Sequence, residues 1–429
     1  MRVAITGIGL VSACGLRPAE HVEAAVGGGG VAVPARAWRE DGVPCTAGVA
    51  PDFDIGPLLR IPKNQKFMSR QVRFAVYAAI QAVRASSLPL EGFDRTRLGV
   101  YTGSGQTGLE YQEFFPALFA AWTSGREMDY KHLGGRASRL IDPYFSLRTL
   151  SNSGVGLLSA ELAAQGASGN FVHSETASVS ALNAACWDLA EGRCDAAVAG
   201  GYDSLVNPSV LLAYSGAGLI SRSGRCRPFD AGRDGLVPSE GAAFFVLERV
   251  EDAASRGASA WGEILGVGDG GETTPAGRPL CSAACLGAAI ERAEPAAIDF
   301  VVAHGIGLPE DDAREAAAIR EILGNKIPVT AFKGLTGYAG AATGTLEIAL
   351  GLLCAGRGVL PRIAGLESPG PECNLSFVYP ECGAVSVPAT GLFLSYSWGG
   401  QHGVILARCL PTPAPVASEV ASETGSLVA

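Results

Sequence analysis

This sequence has few charges, no long apolar run and no clustered cysteines, and each absence excludes a class of protein. Charged residues make up 17% of the 429 residues, and the net charge of −9 comes without a basic stripe, so we expect no nucleic acid as a partner. No apolar run is long enough to cross a bilayer, and the first residues lack the pattern of a secretory signal. We therefore expect a cytoplasmic protein without membrane contact.

The 11 cysteines are scattered rather than grouped. Their number is odd and none of the closest pairs has zinc-ribbon spacing, which predicts reduced thiols, most of them small buried apolar residues. A glycine-rich segment at 103–108 follows a predicted strand and matches the dinucleotide-binding (Rossmann) fingerprint. No βαβ unit with an acidic ribose ligand at the right distance follows it. We interpret it as a tight turn into an interface segment. The sequence thus predicts neither a metal site nor a cofactor.

Glycine and alanine are abundant, and they form a pattern that occurs twice. Apolar strands ending in Gly turns alternate with Ala-rich helices, which is typical of a mostly parallel sheet covered by helices. We expect two similar halves, 1–250 and 251–410, stacked as helix–sheet–helix–sheet–helix layers. The tail 411–429 is rich in Pro, Ser and Glu without periodicity and is expected to be disordered. The matching segments are 3–7 with 262–268, 98–103 with 300–305, and 243–247 with 403–407.

A strand, a sharp turn at Glu175, an Ala-rich helix and a strand ending in Gly-Gly follow one another over residues 166–203. This segment resembles the nucleophile elbow of the β-ketoacyl synthases, which are thiolase-like condensing enzymes. Several other motifs follow the same order along the chain as in that family. The resemblance runs from Met1 to about Leu410 and implies an α/β, thiolase-like layered αβαβα fold made of two similar halves. The other motifs that carry it are residues 2–12, 227–241, 244–248, 302–305, 333–338 and 397–400.

The departures from the family pattern carry the functional information. The resemblance places Glu175 at the position of the Cys nucleophile, and a carboxylate cannot form the thioester that holds an acyl chain. His304 retains the first active-site His, Tyr338 replaces the second, and Lys333 is kept. Because two of the three chemical positions are altered, no intact catalytic set is predicted.

The same resemblance assigns the turn Ser397-Trp-Gly-Gly to the family's oxyanion and gate turn, formed here by Trp398, Gly399 and Gly400. An unpaired carboxylate is costly to bury. We therefore expect Glu175 to form a structural ion pair with Lys333 or with His304 in the old pocket.

With large polar groups at both altered positions, this chain is similar to the chain-length factor, the β subunit of type II polyketide ketosynthases. This resemblance implies a heterodimer with an active ketosynthase α subunit, and an acyl carrier protein that acts through the complex. Members that make aromatic products usually hold Gln where this chain holds Glu175. That difference and the Ser-Trp-Gly-Gly turn favour a polyene product over an aromatic one.

In the family, the segment equivalent to Gln106–Trp122 lies at the twofold interface and lines the partner's acyl tunnel. Tyr111, Phe114 and Phe115 are therefore candidates for the end wall of that tunnel, with ordinary interface packing as the equal alternative. Two further functions stay open for the whole chain. One is a malonyl-carrier decarboxylase that uses His304, and the other is a pure scaffold for the α subunit.

Overall fold

The strands of this chain join into one large mixed sheet flanked by helices. The structure is a computed structural model, and it describes residues 2–27, 46–105, 113–123, 127–272, 283–292 and 297–413. The strands in these ranges are β1 (Val3–Ser12), β2 (Leu98–Ser104), β3 (Ser168–Val172), β4 (Ala196–Ser204), β5 (Glu240–Arg249), β6 (Gly262–Gly271), β7 (Phe300–Val302), β8 (Pro328–Thr330), β9 (Val359–Leu360), β10 (Ser376–Phe377), β11 (Gly383–Ala384), β12 (Ala389–Tyr396) and β13 (Gln401–Cys409).

Helices connect most of these strands. They are α1 (Pro18–Val26), α2 (Arg70–Ser86), α3 (Phe115–Ala121), α4 (Tyr130–Gly135), α5 (Phe145–Thr149), α6 (Ser153–Leu162), α7 (Ala177–Ala190), α8 (Pro208–Gly216), α9 (Val250–Ser255), α10 (Ala283–Arg292), α11 (Pro309–Leu323), α12 (Lys333–Thr336) and α13 (Thr343–Ala355). No helix in the described ranges is both long and apolar enough to cross a membrane.

The sheet repeats one pattern in its two halves. Eleven of the described strands run in the order β10-β8-β7-β12-β13-β6-β1-β5-β4-β2-β3. In the first half β5 is antiparallel to β1 and β4, and β2 and β3 continue parallel to β4; in the second half β13, β12, β7 and β8 repeat these relations to β6. The three matching sequence segments lie in the matching strands β1 and β6, β2 and β7, and β5 and β13. The halves are joined because β1 also pairs with β6 over Val3–Ile5.

Helices α7 and α13 form the layer between the two halves of the sheet. Helix α13 is apolar on all sides and buried along its whole length, as expected of a helix with protein on every face. It contacts β4 and β5 of one half and β12 of the other, while α7 contacts β2, β4 and β13. Helix α2 covers the first half on its outer face and α10 covers the second. The expected αβαβα layering is confirmed.

Glycine permits close contact between the sheet and the helix that covers it. A Cβ at Gly9 of β1 would lie 2.0 Å from the backbone oxygen of Ala78 in α2, so a larger residue would push this helix off the sheet. The domain boundaries at 250 and 410 stay a prediction. Of the tail expected to be disordered, only residues 411–413 lie within the described ranges.

Candidate functional site

The predicted site residues follow the ends of strands. Glu175 lies between β3 and α7, His304 comes just after β7, and Trp398 lies in the turn from β12 to β13. Tyr338 follows α12, which itself follows β8. Because β7, β8 and β12 run parallel, their carboxyl ends lie along the same edge, where such sheets carry their functional loops.

Glu175 and Tyr338 meet in the interior. The Tyr338 hydroxyl donates a hydrogen bond to Oε1 of Glu175, and both side chains are buried. Oε2 of Glu175 has no hydrogen-bond partner among the described residues. Burial raises the pKa of Glu175 to about 7, although the neighbouring Ser174 side chain and, less strongly, the positive charge of Lys333 oppose the rise. Glu175 is therefore a carboxyl group that remains largely protonated well above its usual range.

Lys333 is the centre of a second buried group. Its ammonium donates to Oε1 of Glu347 at 2.7 Å, to Nδ1 of His304 at 3.0 Å and to the His304 carbonyl oxygen. Burial raises the pKa of Glu347 to about 7, against the opposing charge of Lys333. The expectation that Glu175 pairs with Lys333 or His304 is wrong, because Lys333 forms its ion pair with Glu347 of α13.

His304 is held neutral. Burial and the charge of Lys333 lower the pKa of His304 well below its usual value. The ammonium of Lys333 can donate hydrogen bonds but cannot accept them. Nδ1 of His304 is therefore the acceptor, and Nε2 carries the ring proton. The imidazole is therefore a hydrogen-bond donor through Nε2.

Two further acids fix the loop that carries His304. Glu315 accepts a hydrogen bond from the backbone N–H of His304 at 2.7 Å, and Asp312 accepts one from that of Ile306 at 2.8 Å. Burial raises the pKa of Glu315 to about 7 and that of Asp312 to about 6. The sequence interpretation missed both acids and Glu347. Their signal was an acidic pair spaced three residues apart on α11, and a single charge within the apolar helix α13.

Aromatic rings cover the Glu175–Tyr338 pair. The ring centroids of Tyr338 and Trp398 lie 5.8 Å apart, and Tyr214 of α8 lies 5.7 Å from Trp398 and 6.4 Å from Tyr338. In the neighbouring turn, the Gly400 N–H donates to the Ser397 carbonyl at 2.9 Å. We call the three rings of Tyr214, Tyr338 and Trp398 the aromatic roof.

The described residues of this site supply no thiolate. Cys226 lies behind the His304 loop, where its thiol donates to the Ile306 carbonyl at 3.6 Å and burial raises its pKa to about 12. What remains is a neutral imidazole, a paired ammonium and a carboxyl bound by a phenol. This set of groups can donate hydrogen bonds, but it cannot carry an acyl group as a thioester.

Replacing Glu175 with glutamine is expected to stabilise the folded protein at about pH 8 and to change little at about pH 5. The pKa of Glu175 rises from 4.5 to about 7 on folding, so between these values the folded state keeps a proton that the unfolded state has lost. The stability of the native chain therefore falls as pH rises through this window, by up to about 3 kcal/mol. Glutamine has no such titration and still accepts from Tyr338.

Denaturant unfolding at the two pH values measures this effect. Tyr338→Phe is the matched control, because it removes the hydroxyl that bonds Glu175 but keeps the carboxyl, so stability should still fall as pH rises. Parallel pH profiles for the native chain and Glu175→Gln would contradict the account.

Two of the three predicted tunnel residues, Phe114 and Phe115, lie apart from this site. Tyr111 is outside the described residues. Phe114 stacks on Phe145 with ring centroids 6.0 Å apart, and Phe115 contacts Phe119 at 5.9 Å. The structure thus places Phe114 and Phe115 in a surface lobe formed by α3, α4 and α5, and not beside Glu175.

This lobe exposes an unusual amount of apolar surface. Phe119 is 73% exposed, and Phe115, Trp122 and Tyr130 are exposed with it. Helix α5 of the lobe packs on α6, which contacts β3, and β3 is the last strand of the sheet at this end. Trp187 of α7, the helix that follows β3 along the chain, is 62% exposed. No described strand pairs with the outer edge of β3, and such an edge together with large exposed rings is typical of a surface that another chain covers.

Known proteins are similar to this chain in sequence and in fold. The family model described as "Beta-ketoacyl synthase, N-terminal domain" matches residues 1–253, and "Beta-ketoacyl synthase, C-terminal domain" matches residues 264–367. Among curated relatives, 3-oxoacyl-[acyl-carrier-protein] synthase 2 of Coxiella burnetii is 29% identical over 420 residues, covering 94% of this chain and 98% of that protein. The protein of the same name from Staphylococcus aureus is 29% identical over 422 residues, covering 95% and 98%.

Solved structures agree on the fold. The ishigamide ketosynthase/chain length factor matches with a TM-score of 0.80 and 24% identity, over 95% of this chain and 99% of that one. A type II PKS acyl-carrier protein in complex with its ketosynthase matches with a TM-score of 0.77 and 22% identity, over 95% and 99%.

Proposed function

This chain belongs to the β-ketoacyl synthase family, and from that premise we propose that it is a non-condensing β subunit, or chain-length factor, of a type II polyketide ketosynthase heterodimer. The observation that carries the proposal is the buried hydrogen bond between Tyr338 and Glu175. It occupies the positions where the resemblance requires a cysteine and a second histidine. A synthase with this pair in its site has no nucleophile to accept an acyl chain.

The reaction then belongs to a partner. An active ketosynthase α subunit would supply the cysteine and both histidines, decarboxylate a malonyl unit on the acyl carrier protein and join the carbanion to its bound acyl chain. The present chain would complete the α subunit and wall off its tunnel. Support for a partner comes from the exposed rings of the lobe and from the open edge of β3.

Structural neighbours support the same assignment. One is a ketosynthase together with a chain length factor, and another is a ketosynthase in complex with an acyl-carrier protein. The curated relatives are 3-oxoacyl-[acyl-carrier-protein] synthases. We assign this chain the supporting role because of its own residues, and a polyene product because Glu175 and the Ser-Trp-Gly-Gly turn depart from the aromatic type.

A malonyl-carrier decarboxylase is the second candidate. The observation in its favour is the neutral His304, whose Nε2 proton is able to stabilise an enolate. Against it, the hydroxyl of Tyr338 is already committed to Glu175. A decarboxylase would release carbon dioxide from malonyl-carrier without any partner, whereas the β subunit would not.

Product length tests the proposed role. Phe115→Ala is expected to lengthen the released chain by one malonyl-derived unit or more, because a smaller side chain leaves room at the end of the partner's tunnel. The measurement is mass spectrometry of products from complexes shown intact by gel filtration. Trp187→Ala is the control, because this exposed ring lies on α7 outside the segment and should leave product length unchanged.

Phe114→Ala and Tyr111→Ala extend the series. Phe114 is held by Phe145 inside the lobe, so its truncation should act more weakly than that of the exposed Phe115. If all three variants form intact complexes and release chains of unchanged length, the segment is only interface packing.

A further inference from the structure

Glu175 and Tyr338 reach one another from opposite halves of the molecule. Glu175 precedes α7 in the first half, and Tyr338 follows α12 in the second. Their hydrogen bond crosses the space between the two strand ends, and no backbone hydrogen bond joins the two residues there. The two side chains therefore close this space by their own bulk.

The backbone around Tyr338 is held by hydrogen bonds on both sides. The Tyr338 N–H donates to the Val237 carbonyl at 2.8 Å, and the Ser239 N–H donates to the Tyr338 carbonyl at 2.8 Å. On the other side of the loop, Asp203 accepts a hydrogen bond from the Ala341 N–H at 3.0 Å. With its backbone fixed, its hydroxyl bonded to Glu175 and its ring packed against Trp398, the Tyr338 side chain forms part of the wall.

The surroundings of this ring are apolar. Tyr338 packs in one cluster with buried aliphatic side chains and with the other two rings of the aromatic roof. An enclosure of this kind suits an aliphatic chain, and at present the Tyr338 ring fills it. The aliphatic members are Leu205, Leu236, Ile306 and Leu308.

The carboxyl group of Glu175 is only partly satisfied. Oε1 accepts from Tyr338, while the buried Oε2 has no partner among the described residues. A buried polar atom without a partner costs stability, so a purely structural role would favour a different residue here. The position is better explained by what the side chain keeps out.

We propose that Glu175 and Tyr338 form an internal plug that excludes aliphatic acyl chains from this chain's own pocket. The plug rests on the proposed function, because it leaves the partner's tunnel as the one place where the growing chain extends. The plug acts through the volume of its two side chains. Removing both side chains should therefore create a site for an aliphatic acid, whereas changes that keep their size should not.

Isothermal titration of the complex with decanoic acid tests the plug. The double variant Glu175→Ala/Tyr338→Ala is expected to bind one more decanoate per complex than the native protein, at least tenfold more tightly than any site of the native chain. Tyr338→Phe and Glu175→Gln are the matched controls, because both keep the volume, and they should gain no site.

The outcomes separate cleanly. The plug is overturned if the native complex already binds the additional decanoate, or if a folded double variant gains none. Should the double variant fail to fold, Tyr338→Ala alone and Tyr338→Leu give the same comparison with a smaller opening. Assembly and elongation by the native complex are measured in parallel. If the complex neither assembles nor elongates chains, the proposed function is contradicted. The plug is then still tested by titrating this chain alone with decanoic acid.

Discussion

Replacing Lys333 with methionine is expected to destabilise the folded chain by about 3–5 kcal/mol, the usual loss when one partner of a buried ion pair is removed. Lys333 is fully buried and donates to Glu347 and to two acceptors of His304. The variant leaves Glu347 without a counter-charge inside the apolar helix α13. We expect little folded protein at 37 °C, because the loss approaches the whole stability of many domains.

A double variant distinguishes charge from packing. Lys333→Met together with Glu347→Leu removes both charges and should recover most of the stability lost in either single variant, since a complete buried ion pair is often replaceable by apolar residues. Chemical denaturation of the four proteins gives the coupling energy. A Lys333→Met protein within about 1 kcal/mol of the native chain, or a double variant no better than the single ones, would contradict this account.

Replacing Phe119 with aspartate is expected to abolish assembly with the partner subunit, with a loss of affinity of at least about 100-fold. Phe119 is the most exposed of the lobe's phenylalanines, and a charge there would have to lose its hydration when a partner covers this surface. Interfaces of obligate complexes typically bury about 2,000 Å² or more, and large rings near their centre contribute most of the affinity.

The fold of the chain itself should tolerate this change, because the side chain is exposed in the free chain. Leu212→Asp is the matched control, since Leu212 is 58% exposed on α8, outside the lobe, and should leave assembly intact. Co-purification with a tagged partner and analytical sedimentation of the purified protein measure whether the complex forms. An intact complex with Phe119→Asp would move the interface away from the lobe.

Much of the fold was predictable from sequence because it depends on local pattern. Apolar segments ending in glycine mark β1 and β2, an apolar run marks β5, and similar segments recur in their counterparts in the second half. The position of Glu175 at the turn before α7 also followed from the order of motifs. Each of these features is fixed by neighbouring residues or by the sequence of elements along the chain.

The partners within the site were not predictable in this way. Glu175 and Tyr338 are separated by 163 positions, so only the packing of the two halves brings them together. Lys333 and Glu347 lie on two successive helices of the second half, α12 and α13, and only the packing of these helices brings them together. Sequence reasoning gave Lys333 the wrong partner, because a buried cation needs an acid but its own segment does not show which acid will reach it. The same holds for Glu315 and Asp312, which accept hydrogen bonds from backbone N–H groups of the loop that carries His304.

The central claim is that this chain supports condensation without carrying the acyl group. Intact-protein mass spectrometry of the native complex, after incubation with an acyl-loaded carrier protein, tests it most directly. The account predicts an acyl adduct on the partner's chain, none on this chain, and no condensation product from this chain alone. An acyl adduct on this chain, or condensation by the purified chain without a partner, would contradict it.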